Sequence, residues 1–226
     1  MQPGETQVKV WDAPVRLFHW LLVLLFAFMF FSGKSGSEWL EWHVRAGYAV
    51  LSLVLFRVLW GFFGSTHARF GSFLSGPAAC IECLRHLMKR TPSPYAGHNP
   101  LGGWMVLVLL LALLFQAGTG LFSNDDVLFE GPLASLVSKA MSDRLSGWHA
   151  WNFNLLLLLA GLHIVAVLYH AGFMKENLIG AMFTGVKRMP AAAAGSAATR
   201  FASPWLALAL LCVAAFAVFL IVKRPF

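Results

Sequence analysis

Eight histidines are the only dense supply of metal-ligating side chains in this chain of 226 residues, and five of them, His19, His43, His149, His163 and His170, fall within or at the ends of long apolar runs. A polar ring in such a run is costly in lipid and calls for a functional reason. His149 and His163 share one run, fourteen residues apart. On an α-helix that spacing leaves them about 40° apart around the axis and about 21 Å apart along it. One helix thus directs two imidazoles to one face at two depths, which suits two stacked prosthetic groups and does not suit a single metal ion. His43 opens the second run and matches the depth of His149. His19 lies about a turn into the first run and matches His163. The pairs His43/His149 and His19/His163 are therefore expected to ligate two bis-His haems b inside a helical bundle. The alternative for each ring taken singly is an interfacial, hydrogen-bonded histidine, which leaves the joint match in spacing and depth unexplained.

The elements that must position these rings follow from composition. The chain is 58% hydrophobic and 12% charged, with a mean hydropathy of +0.69, outside the range of soluble globular domains. This excludes a soluble enzyme fold and a nucleic-acid-binding domain, so the net charge of +7 reads as topology marking, with no nucleic acid as partner. Five apolar segments (15–32, 42–63, 101–122, 145–174 and 204–222) are each long enough to cross a hydrocarbon core of about 30 Å. The expected fold is all-α and integral to the membrane: a four-helix dihaem bundle over 1–190, a linker over 191–203 and an additional C-terminal helix over 204–226. The Ala/Gly/Ser-rich linker is expected to set the fifth helix apart, with no haem ligand on it. No cleavage site follows the first run, so it is read as a retained helix.

Ten Lys and Arg fall in the N-terminus and the 64–99 and 175–203 connections, whereas Lys34, Lys139 and Arg144 on the other side face six acids. The N-terminus is thus expected in the cytoplasm of a multi-pass inner-membrane protein. The stretch after Gly76-Pro77 reads as an amphipathic helix on the cytoplasmic leaflet, and a similar stretch after Gly131-Pro132 is expected on the far side. Cys80 and Cys83 lack the adjoining His of a c-type haem site and read as a reduced structural pair.

Trp11-Asp-Ala-Pro-Val-Arg-Leu-Phe-His19-Trp20, Trp42-His43, the segments 59–70 and 97–104, and His149 to His163 resemble the bacterial cytochrome b561 family. That family is in turn similar to the b-type subunits of nickel-iron hydrogenases and formate dehydrogenases. The resemblance covers about 10–188 and implies haem ligands on the first, second and fourth helices. Carried over, it implies His19, His43, His149 and His163, the four that spacing selects; it says nothing of the fifth helix. His170, seven residues after His163, is the rival for the lower position. Arg45 and Arg57 within the second run suit haem propionates, though snorkelling toward headgroups explains them nearly as well. His67, Arg69, His98 and Asn99 are expected at the cytoplasmic mouth as contacts for propionates or a quinone head, or as ordinary loop residues.

The function expected from these residues is electron transfer across the membrane between a quinone pool and a periplasmic redox partner. The resemblance implies a c-type cytochrome in that role. Two filled axial positions leave iron no site for substrate. Three rivals stand beside it: a superoxide-to-quinone oxidoreductase, disfavoured by acidic outer loops; a haem-bearing anchor of a larger oxidoreductase; and a transporter with a histidine proton relay, which would be colourless.

Overall fold

The computed structural model describes residues 5–90, 95–127, 129–190 and 199–223. In chain order the elements are β1 (Glu5–Lys9), α1 (Ala13–Ser32), α2 (Leu40–Phe63), α3 (Phe70–Phe73), α4 (Pro77–Lys89), α5 (Pro100–Leu121), α6 (Lys139–Gly172), α7 (Leu178–Thr184), β2 (Val186–Pro190) and α8 (Pro204–Val222). Five helices (α1, α2, α5, α6 and α8) are long and apolar enough to cross a membrane, at the positions the five apolar runs predict. The chain divides into two compact units. One comprises Met1–Leu17, Leu59–Val108 and Ala160–Ala207; the other comprises Phe18–Val58, Leu109–Leu159 and Leu208–Phe226.

The first unit holds the sheet and the short helices. β1 and β2 pair antiparallel, from Glu5 opposite Pro190 to Lys9 opposite Val186. The amides of Val10 and Trp11 then both donate to the Gly185 carbonyl, at 2.8 and 3.1 Å. Gly185 has φ +83°, and a Cβ there would meet the Trp11 carbonyl at 2.7 Å, so the turn from α7 into β2 requires glycine. Asp12 starts α1: its Oδ1 accepts the Val15 amide at 2.8 Å, capping the helix. Its Oδ2 accepts the indole N–H of the fully buried Trp60 at 3.0 Å. Arg16 closes the corner by donating to the Phe183 carbonyl. The Trp-Asp-Ala-Pro-Val-Arg segment is thus a joint between α1, α2 and α7. α4 begins at Pro77 in its first turn, as expected, and turns Ile81, Leu84 and Met88 outward while Cys83 is buried.

The second unit is a bundle of helix segments around Leu51, Leu121 and Val218. Two expectations change in this unit. α8 does not stand apart: Ala214 and Val218 are buried, and Val218 joins Leu51 of α2 and Leu121 of α5. Small side chains on one face of α8 allow that close approach. Of the stretch read as a linker, 191–198 lies outside the described residues. Arg200 and Ala202, just beyond it, are fastened within the first unit, where the Thr66 amide donates to the Arg200 carbonyl at 3.0 Å. The Arg200 amide donates to Thr66 Oγ1 at 2.9 Å and the Ala202 amide to Ser65 Oγ at 3.0 Å.

The second change concerns 131–141, which is not a separate surface helix. A short turn at Ala134–Leu136 is followed directly by α6. Ser138 caps α6, accepting the Met141 amide on its carbonyl at 2.9 Å and on Oγ at 3.3 Å. With 34 residues, α6 is about 51 Å long and exceeds a hydrocarbon core of about 30 Å. Its charged first turns carry the surplus, with Lys139 paired to Asp143 and Asp126.

Candidate haem site

His43 on α2 and His149 on α6 come together in the second unit, with ring centroids 6.4 Å apart and planes at 76°. They line a largely apolar cavity of about 320 Å³, with Gly47, Gly120, Leu113 and Phe153 in its walls and Asn124, Asp125 and Ser146 at its polar end. Each ring is held by its Nδ1. His149 Nδ1 lies 2.9 Å from the Gln116 carbonyl, which can only accept, so Nδ1 carries the proton. Thr119 Oγ1, 3.3 Å from the same nitrogen, donates to the Phe115 carbonyl at 2.8 Å and is free to accept as well. His43 Nδ1 lies 3.0 Å from Ser32 Oγ, and that hydroxyl donates to the Met29 carbonyl. Both neutral rings therefore keep the Nε2 lone pair for a metal, the arrangement that outer hydrogen bonds impose on ligating histidines.

The spacing fits one metal ion between the rings. Two metal–nitrogen bonds of about 2 Å and two ring radii of about 1 Å put the centroids about 6 Å apart. Among the described residues no group of three or more His, Cys, Asp or Glu gathers to hold a metal ion. Two imidazoles facing one another at this distance would suit a haem, whose macrocycle would supply four further donors to the iron. Gly120 makes room for the ring, since a Cβ there would stand 2.9 Å from His149 Cε1.

The other expected residues are placed as follows. His19 belongs to the second unit and His163 to the first; both are half-buried, and the His19 ring meets Trp20 edge-on at 5.0 Å. Arg45 is exposed, pairs with Glu41 and lies over the Trp42 ring; it does not line the cavity. Arg57 is buried in α2. In the first unit, Arg69 Nε donates to the Gly64 carbonyl at 2.8 Å, and His98 packs between Trp11 and Phe73 at 4.6 and 4.9 Å. Asn99 caps α5 by accepting the Gly102 amide at 2.7 Å, while its Nδ2 lies 3.4 Å from His170 Nε2. His170 Nδ1 lies 3.4 Å from Glu176 Oε2. Both ring nitrogens of His170 thus face protein groups.

Sequence reasoning missed Ser32, Gln116 and Thr119, which hold the ring nitrogens. The signal was present: Gln116 and Thr119 are polar residues in an otherwise apolar run, and each needs a partner there.

His67 lies outside the spanning helices and meets Thr199 Oγ1 at 3.0 Å through Nε2. Burial holds its pKa below the ordinary 6.5. The folded state therefore favours the neutral ring, and the associated stability is present above about pH 6.5 and lost as pH falls through the lowered value. Acidification from about pH 7 to about pH 5 should lower the protection of the Thr66, Arg200 and Ala202 amides, measured as exchange relative to the intrinsic rate at each pH. The same loss of protection in His67→Gln would exclude His67 as its source.

Comparison with known proteins identifies the family. The family model for prokaryotic cytochrome b561 matches residues 10–185. A probable Ni/Fe-hydrogenase B-type cytochrome subunit of Rhizobium leguminosarum bv. viciae is 27% identical over 212 residues, covering 79% of this chain and 87% of that protein. A protein of the same description from Azotobacter chroococcum mcd 1 is 27% identical over 222 residues, covering 80% and 88%. The probable Ni/Fe-hydrogenase 1 B-type cytochrome subunit of Escherichia coli (strain K12) is 31% identical over 136 residues, covering 49% and 57%. No solved structure matches. With the family match running through most of its length and five helices long and apolar enough to cross a membrane, the chain belongs to the prokaryotic cytochrome b561 family, as a multi-pass b-type cytochrome that transfers electrons.

Proposed function

We propose that this cytochrome binds two haems b, one between His43 and His149 and one between His19 and His163, and conducts electrons across the bacterial inner membrane between the quinone pool and a periplasmic redox partner. The observation that carries the reading is the His43/His149 pair, with both Nδ1 atoms engaged and both Nε2 atoms left for iron. Bound haem supplies one-electron redox chemistry; the protein supplies axial bonds, spacing and a low dielectric. Within this reading 1–190 form the dihaem domain, 191–203 the connection and 204–226 an additional helix, with the N-terminus in the cytoplasm.

Arg57 and Arg45 are the cations offered to propionates, and Arg57 is the better desolvated of the two. His67, Arg69, His98 and Asn99, all in the first unit, are the polar groups offered to a quinone head. Quinol should reduce the haems more slowly in His67→Ala and His98→Ala at full haem content. Unchanged rates in both variants would move the quinone site elsewhere.

The outer partner is a c-type cytochrome in the first reading. A second reading, favoured by what the relatives are called, makes the chain the haem-bearing subunit of a Ni/Fe hydrogenase. A reduced-minus-oxidised spectrum with a pyridine haemochrome count tests both at their root, and two haems b per chain are expected. A colourless preparation would return the histidines to a transport role. Reduction of the purified protein by hydrogen plus hydrogenase, against reduction by a c-type cytochrome, separates the partners.

A further inference from the structure

Asn152 lies three residues beyond His149 in α6 and is 2% exposed. Its amide nitrogen donates to the Ala112 carbonyl at 3.0 Å and to Gln116 Oε1 at 2.7 Å, both on α5. The second partner matters more. Gln116 is the residue whose backbone carbonyl takes the His149 Nδ1 proton at 2.9 Å, so α6 grips it twice, by the side chain through Asn152 and by the backbone through His149. A buried Asn needs an acceptor for each of its two amide hydrogens, and any second carbonyl on α5 would serve adhesion; here the second acceptor is the Gln116 side chain. That bond fixes the rotation and axial register of α6 against α5 at the turn that carries the ligand. Thr119 Oγ1 at 3.3 Å and the space left by Gly120 complete the slot around the ring.

We propose that Asn152, acting through Gln116, is a positioning residue for His149 that sets the reduction potential of the haem bound between His43 and His149. The proposal rests on the reading of those two histidines as axial ligands. A well-aligned acceptor at Nδ1 increases the electron donation of Nε2 and favours oxidised iron. Loosening the grip weakens that donation and raises the potential.

The test uses the full chain in detergent, with Asn152→Leu, Gln116→Leu and the double variant. Each single variant should favour the reduced form of this haem about tenfold at fixed ambient potential, equal to an upward shift of about 59 mV for a one-electron couple. The double variant should shift no further, because the two residues act as one unit. The electron paramagnetic resonance g values of the oxidised haem follow the mutual orientation of the imidazole planes and should move in the same variants. The other haem serves as the internal control and should keep its potential. Selective loss of the haem at His43 and His149 in both single variants would be the same effect at larger size.

Unchanged potential and g values at full haem content would overturn the proposal, as would additive shifts in the double variant or simultaneous loss of both haems. Failure of the underlying reading looks different: the chain would then retain two haems after His43→Ala and His149→Ala together.

Discussion

Replacing His149 with alanine should cost the full chain one of its two haems, leaving a pyridine haemochrome count of one per chain and a single potential in a redox titration. Replacing His163 should remove the other. The two losses should be separable, because His149 and His163 are fourteen residues apart on α6, about 21 Å along the helix. Gly120→Val should reproduce the His149→Ala result without touching a ligand, since a Cβ at 120 would already stand 2.9 Å from His149 Cε1 and valine adds two methyl groups beyond it. Retention of two haems after loss of both His149 and His163 would refute the assignment. Normal haem content in Gly120→Val would show that the ring at 149 does not depend on the space beside Gly120.

Glu176→Ala should markedly lower the stability of the folded chain. Glu176 Oε2 lies 3.4 Å from His170 Nδ1 and 3.4 Å from Lys187 Nζ. Lys187 is buried and also donates to the Tyr95 carbonyl at 2.9 Å. Removing the carboxylate strands an ammonium group in a low-dielectric pocket, an event that costs about 3–5 kcal/mol in buried pairs. Thermal unfolding in detergent should show a lower midpoint for Glu176→Ala, with much of the loss recovered on adding Lys187→Met. An unchanged midpoint in the single variant would mean that water reaches Lys187 and the pair is not structural.

The spanning helices and the approach of His43 to His149 were legible because both are governed by one-dimensional rules. A bilayer fixes the length of an apolar run, and the 3.6-residue period places His149 and His163 on one face. What escaped depends on partners far away in the chain. Residues 5–9 and 186–190 are short, polar and unremarkable as strands, and only their pairing makes a sheet. Lys187 served as a topology marker by charge, yet its side chain turns inward to Glu176. The start of α6 was obscured because Lys139, Asp143 and Arg144 look like loop residues, whereas Lys139 and Asp143 form an i,i+4 pair on the helix. Asn152, Gln116 and Thr119 were visible as polar residues in lipid, but which of them meets a histidine is a matter of packing between two helices.

The pairing of β1 with β2 also has a consequence for parity and for biogenesis. Two strands that share backbone hydrogen bonds must sit on the same side of the bilayer, so the chain between Lys9 and Val186 crosses an even number of times. α1, α2, α5 and α6 supply four crossings, a count that owes nothing to where the arginines and lysines fall. The same pairing sets an order of assembly. β1 leaves the ribosome before its partner and cannot pair until the fourth crossing has been inserted and residues 186–190 have been translated. A change in β1 therefore acts on a late step of folding rather than on an early one.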